Sequence, residues 1–272
     1  MKKTLSIIIS CALALCLFCI FASASAEPIE FVPVYVSISD ASGNLVLSYA
    51  AVDVTDTDAD GAITISDALY AAHEKAYEGG AAAGYSSYTG EYGLSLGTLW
   101  GDNSGSFGYY LNDASAWSLA DTIKAGDHIK AYIYQDTTAW SDTYCYFDTT
   151  SKELGEDNMS LTLTLSALGY DESYNTVVLP VENATITIDG KTTNLKTDAE
   201  GKVTVHIDTE GKHVISATSE TQTLVPPVCV VTFGDADTEK GCGSSIGAAG
   251  TAMIALAGLA TSMISFKRKE DK

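Results

Sequence analysis

The sequence predicts an α+β chain in three parts: a β-grasp-like N-terminal domain with one main helix, an all-β sandwich domain, and a C-terminal transmembrane helix. Three observations predict it. Strand-like runs flank a single helical stretch in the first half of the chain. From about residue 158 the apolar pattern has period two, broken by Asp-Gly and Glu-Gly pairs. Residues 246–266 carry no charge and are followed by Lys267, Arg268 and Lys269.

The first domain is expected over 33–148. Residues 34–39 alternate as Val-Tyr-Val-Ser-Ile-Ser, Asp40-Ala41-Ser42-Gly43 is turn chemistry, and strand character resumes over 45–54, which reads as a hairpin. A helix is expected over 67–78, because Leu69, Ala72 and Ala76 share a face while Glu74, Lys75 and Glu78 lie elsewhere. Gly79-Gly80 ends it. A Gly- and Tyr-rich connection runs to about residue 105, and strands are expected at 107–111, 128–134 and 143–147. Hairpin, helix and further strands give the β-grasp-like order.

The sandwich is expected over 158–233. Leu161, Leu163 and Leu165 alternate with Thr162 and Thr164; Ile186 and Ile188 with Thr185 and Thr187; Val203, Val205 and Ile207 with Thr204 and His206. Turns at Asp189-Gly190, Glu200-Gly201 and Glu210-Gly211 separate the runs, as in a β-sandwich. Residues 149–157 read as the linker and 234–245 as a stalk.

The ends speak for export. Met1-Lys2-Lys3, an apolar run over 5–22 and Ala22-Ser23-Ala24-Ser25-Ala26 are the three regions of a signal peptide, with cleavage after Ala26. A permanent membrane helix competes, but the run is barely long enough. The 21 residues of 246–266, at about 1.5 Å each, match a bilayer core. The basic tail at 267–272 then stays cytoplasmic, which leaves 27–245 on the cell surface. A buried helix of a soluble protein is the other reading. The tail resembles the tripartite C-terminal sorting signals of bacterial surface proteins, without an LPxTG motif. Cys242, in Lys240-Gly241-Cys242-Gly243, is either a processing or lipidation point or a plain cysteine at the membrane edge.

Between the ends the chain is strongly acidic. All of its 35 acidic residues except Glu270 and Asp271 lie within 27–245, with nine of the 15 basic ones, every one a lysine, for a net charge of −24. Such a field repels nucleic acid and anionic lipid and favours divalent cations. Cys145 and Cys229 are two thiols or an inter-domain bridge; no Cys/His spacing suggests zinc.

The first domain resembles the transcobalamin-like C-terminal domain family of bacterial surface proteins. The carrying residues are Thr64-Ile65-Ser66-Asp67-Ala68-Leu69, Phe107-Gly108-Tyr109-Tyr110-Leu111-Asn112 and Ile123-Lys124-Ala125-Gly126-Asp127, with Asp113 where the family has glycine. The resemblance implies cobalamin or a related corrinoid as one ligand. The second domain, with Thr197-Asp198-Ala199-Glu200-Gly201, resembles the immunoglobulin-like or prealbumin-like repeats of such proteins.

Two motifs bear chemistry. In Asp56-Thr57-Asp58-Ala59-Asp60-Gly61-Ala62-Ile63-Thr64-Ile65-Ser66-Asp67, acids fall at positions 1, 3, 5 and 12 of a calcium loop. The expected ligands are Asp56, Asp58, Asp60, the Ala62 carbonyl, Thr64 directly or through water, and Asp67. The competing reading is an acidic turn with Asp67 capping the helix. The second motif is aromatic density: nine Tyr, three Trp and two Phe between 85 and 147. They form either a platform for a flat ligand or a small core. As a platform, the expected ligand-binding residues are Tyr109, Tyr110, Asn112 and Trp117, with Tyr110 and Asn112 on the available side of a short strand. The four histidines are scattered, and no G-x-S-x-G, HExxH or phosphate loop occurs, so an enzyme is not expected. The expectation is a membrane-anchored surface protein of binding or adhesion type with structural calcium. A corrinoid-capture protein and a structural envelope component are the alternatives, and the expected extracellular ligand is a protein, a glycan or a corrinoid.

Overall fold

The computed structural model describes residues 31–234. The signal segment with Ala26, the stalk beyond 234 with Cys242, the span 246–266 and the basic tail lie outside the described residues. No helix among the described residues is long and apolar enough to cross a membrane. The fold is mostly β: 50% strand and 8% helix, so strand pairing, not helix packing, decides the architecture.

The first unit is a mixed sheet with a helix on one face. Strands β1 (Val32–Ser39) and β2 (Leu45–Val54) form the expected hairpin. The helix α1 (Ile65–Ala76) starts two residues before the expected position, because Thr64 caps it. After a one-turn helix α2 (Ala81–Gly84), strands β3 (Ser86–Gly90) and β4 (Gly93–Thr98) make a separate hairpin in the stretch expected to be a connection. Strands β5 (Phe107–Leu111), β6 (Ala114–Ser115) and β7 (His128–Ile133) complete the sheet in the order β2-β1-β7-β5-β6. β1 and β7 are central and parallel; the other pairs are antiparallel. Val34, Val36, Ile38, Ile129, Ala131 and Ile133 pack with Ile65, Leu69 and Ala72 of α1.

The strand Thr143–Phe147, expected to close the first domain, belongs to the second: as β8 it pairs with β10 (Ser160–Tyr170) at Cys145, Tyr146 and Phe147. The expected linker also holds a strand, β9 (Ser151–Leu154), parallel to β17 (Cys229–Phe233). The cause is apolar demand. Cys145, Phe147 and Leu154 complete the sandwich core with Leu163, Leu165, Ile186, Val205, Ile215, Cys229 and Val231.

The sandwich has two sheets. One runs β11 (Thr176–Pro180), β10, β8, β16 (Leu224–Val225), with β14 (Lys202–His206) also on β10. The other runs β13 (Lys191–Lys196), β12 (Thr185–Ile188), β15 (Gly211–Thr218), β17, β9. Asp189 and Gly190, both at positive φ, make a two-residue turn between β12 and β13, the geometry that matches strand twist. Cys145 and Cys229 are both free thiols in this one core, so the inter-domain bridge is set aside. Burial pushes each up to about 12.

The two units share a junction. β7 is buried at all six residues: Ile129, Ala131 and Ile133 face α1, while the alternate residues lie under the sandwich. There Tyr110 stacks on Tyr144 with centroids 3.5 Å apart, and Tyr132 packs with Tyr144 and Val225. Leu45 and Tyr49 meet Val228 and Val230 beside them. Gly108 is required here, since a side chain would occupy the space of the Tyr132 ring.

Lys130 lies in this junction, 3% exposed. Its Nζ donates to Cys145 O at 2.7 Å and sits 4.6 Å from the Tyr144 ring centroid, with no salt-bridge partner among the described residues. Burial lowers its pKa. A desolvated charge without a carboxylate stabilises little compared with an apolar chain of the same length. Lys130→Met is therefore expected to hold or raise the urea midpoint, whereas Lys130→Ala, which leaves a cavity, lowers stability by about 2 kcal/mol. Equal losses in both variants would show that the ammonium itself holds the junction.

Candidate functional site

The acidic loop between β2 and α1 is built by its own side chains. Asp56, Asp58 and Asp60 bring carboxylate oxygens within 4.8 Å of one another. These oxygens also accept backbone N–H groups: Gly61 N donates to Asp56 at 2.8 Å and Ala62 N to Asp60 at 2.8 Å. Ala59 and Gly61 take positive φ, which folds the loop back on itself. The Asp58 carboxyl is held above its ordinary value by local desolvation, reinforced by the charges of Asp60, Asp67 and Asp56.

Asp67 does not join the triad. One oxygen accepts from the N–H and hydroxyl of Thr57, the other from the N–H and hydroxyl of Thr64. This is a capping box at the start of α1. Burial alone would raise the Asp67 pKa, but these bonds outweigh it and leave the carboxyl below its ordinary value. Thr64 is likewise buried and engaged in the cap, and Ala62 lies beside Asp60 through its N–H. Of the six expected ligands, the structure brings three side chains together and places Asp67 and Thr64 in the cap.

The expected aromatic face divides. Tyr109 packs against the core on the helix side, and Tyr110 is covered by Tyr144 of the sandwich. Tyr110 is thus not an open platform: the side of β5 expected to be available is the side the second unit covers. Asn112 and Asp113, both at positive φ, form a two-residue hairpin turn between β5 and β6. The Asn112 side chain donates to Asp127 and accepts from His128 N, each at 2.9 Å, so it shapes the turn and anchors it to β7. Asp113 accepts from the Tyr144 hydroxyl at 2.7 Å.

Trp117 is the exception, 82% exposed. Its backbone is fixed: Trp117 N donates to Asp121 at 2.8 Å, and the next residue, buried Ser118, accepts from Leu94 N at 3.0 Å. Leu119 N also donates to Leu94 O. These bonds set Trp117 beside the β3–β4 hairpin, which carries Tyr88 and Tyr92, 56% and 76% exposed. Composition pointed to aromatics in this region, but the hairpin between Tyr88 and Tyr92 was not anticipated. The signal for it was the alternation Tyr88-Thr89-Gly90 and Gly93-Leu94-Ser95-Leu96 around a short turn.

The histidines have structural surroundings. His128 Nε2 lies 2.9 Å from the Ser37 hydroxyl, which accepts from Tyr49 N. Both residues are buried in the junction, and desolvation followed by the Lys130 charge pushes His128 down to about 3. The pair holds the bulge at Tyr49, whose φ is positive. His213, half-buried, lies 2.8 Å from Asp189 and 2.8 Å from Thr209 O; burial opposes protonation, but these acceptors raise its pKa. It lines a shallow groove of about 250 Å³ with Ile188, Lys191 and His206, on the sandwich and not at the Trp117 edge. The chain matches no protein-family model, no curated protein and no solved structure.

Proposed function

We propose that the chain is an exported, membrane-anchored surface protein of binding or adhesion type. The first unit carries the recognition surface and the sandwich lifts it from the membrane. The supporting observation is the 82% exposed Trp117, anchored through its backbone next to the hairpin that carries the exposed Tyr88 and Tyr92. Leaving these rings in water forgoes several kcal/mol of burial, about 1.5–3 for each large side chain, which a binding surface recovers on contact. Ring faces with adjacent hydroxyls suit a flat ligand such as a surface glycan. The helix on one face of a mixed sheet with parallel central strands supports the β-grasp-like reading and the transcobalamin-like resemblance. The signal-like start and the uncharged 246–266 span support export and anchoring.

The test is a glycan array probed with residues 27–236, with a cobalamin titration as a second arm. Trp117→Ala and Tyr92→Ala are each expected to weaken glycan binding about tenfold or more without altering the circular dichroism spectrum. Unchanged binding by both variants would remove this edge from the reading, and cobalamin binding without glycan binding would replace it with corrinoid capture.

Calcium on Asp56, Asp58 and Asp60 is part of the proposal, supported by the convergence of their oxygens and the oxygen preference of the ion. Calcium at about 100 times its Kd is expected to add roughly 2.7 kcal/mol, read as a higher melting temperature that chelator reverses. Asp58→Ala combined with Asp60→Ala should abolish the difference. Identical melting curves with calcium and with chelator would reject the ion.

A further inference from the structure

The first sheet of the sandwich ends at β11, whose outer edge pairs with no other strand among the described residues. Two backbone hydrogen bonds fix which groups turn outward. Val181 N donates inward to Leu165 O at 3.0 Å, and Asn175 O accepts inward from Asp171 N at 2.9 Å. By strand alternation Val177 and Leu179 also face β10, and Thr176, Val178 and Pro180 turn outward. Pro180, which has no N–H, thus occupies an outward position and removes nothing from the ladder with β10. The free edge offers the N–H groups of Thr176 and Val178 and the carbonyls of Thr176, Val178 and Pro180.

Apart from its short length and Pro180, this edge lacks the features that keep exposed strands apart. Thr176–Pro180 contains no charge although the surrounding chain is strongly acidic. Val178 is 58% and Leu179 51% exposed, and as neighbours in a strand they stand on opposite faces. Both faces of the edge are therefore apolar and wet.

We infer that β11 pairs with β11 of a second copy, antiparallel about a two-fold axis at Val178, joining two sheets into one. The strand is complementary to itself only in this sense. Val178 meets Val178, and the two exchange both N–H···O bonds. Thr176 meets Pro180 of the second copy, so each Thr176 N–H finds a carbonyl, while the Thr176 carbonyl of each copy, opposite a proline nitrogen, stays with water. Val177 meets Leu179, a favourable apolar pair at the close spacing of a non-hydrogen-bonded position. Charge selects the same direction. A parallel, in-register pairing would set Asp171, Glu172 and Glu182 beside their own copies, whereas the antiparallel register sets Glu182 toward Tyr174. A contact this short is small against a stable interface, so association is reversible.

Analytical ultracentrifugation of the full chain in detergent micelles, over a dilution series, tests the pairing. The wild-type chain is expected to show a monomer–dimer equilibrium. Val178→Asp, which sets two carboxylates face to face at an exposed position, should weaken dimerisation about tenfold or more with an unchanged circular dichroism spectrum and melting temperature. Val178→Cys should give a disulfide-linked dimer on mild oxidation, since paired Cα atoms there stand about 5.5 Å apart, and Glu200→Cys in an exposed turn should not. A chain that stays monomeric, a dimer indifferent to Val178→Asp, or equal cross-linking at 178 and 200 overturns the inference.

Discussion

His73→Ala is expected to lower stability by about 3–4 kcal/mol, the cost of a buried cavity together with a stranded donor and acceptor. His73 is fully buried. Nδ1 lies 2.6 Å from Leu69 O, which can only accept, and Nε2 lies 3.0 Å from Trp100 N, which donates. The ring is thus neutral with its proton on Nδ1. Tyr77, Tyr85 and Trp100 surround it at centroid distances of 5.2–6.0 Å. The bond to Trp100 also holds that residue at positive φ, so the substitution releases the turn as well as the ring.

The same geometry sets a pH dependence. Desolvation lowers the His73 pKa despite the Leu69 carbonyl, and a proton on Nε2 would displace the Trp100 bond. The unfolded chain therefore takes up the proton first. The contribution of His73 is complete above the unfolded value of about 6.5 and declines as pH falls through the folded value. Urea midpoints at pH 8 and pH 5 for wild type and His73→Ala check this. Their difference isolates His73 from His213, whose raised pKa has the opposite effect: its contribution is present below about 6.5 and lost as pH rises through its folded value. A constant difference between the two chains at both pH values would show that His73 does not titrate across this window.

Asp67→Ala is expected to cost about 3 kcal/mol, with chelator and with calcium alike. The carboxylate accepts from two backbone N–H groups and two hydroxyls at 2% exposure. Charge-assisted bonds and a helix cap each contribute roughly 1–3 kcal/mol, and they are not additive. Removing it strands four donors and unties the triad loop from α1. Its folded pKa lies below the unfolded value near 4, so this stability is present above that value and lost as pH falls through the folded one. Chemical denaturation in chelator gives the decisive reading: a loss that disappears there would return Asp67 to the metal.

The contrast with Asp58 explains how far the loop was legible. The spacing of Asp56, Asp58 and Asp60 placed three carboxylates together, because alternate residues of a tight loop face inward whatever surrounds them. The same spacing assigned Asp67 to the metal, yet a capping box at Thr64 and the reach to Thr57 claimed both its oxygens. Either outcome satisfies the local sequence, and the position of Thr57 relative to α1 is set by β2 packing on the helix.

The sequence by itself determined the β1–β2 hairpin, α1, the alternating strands β10, β12 and β14, and the Asp189-Gly190 turn. These rest on period and turn chemistry within about a dozen residues. Only the tertiary structure decided which sheet β8 and β9 joined, since a short apolar strand carries no label for its partner. It also decided the fate of the polar face of the first sheet. His128, Lys130 and Tyr132 alternate with Ile129, Ala131 and Ile133 as in a strand with one more polar face. The sandwich covers that face, burying Lys130, partly covering Tyr110 and leaving Trp117, beside the β3–β4 hairpin, in water. Alternation reports that a strand has two faces; what lies against each face depends on residues a hundred positions away.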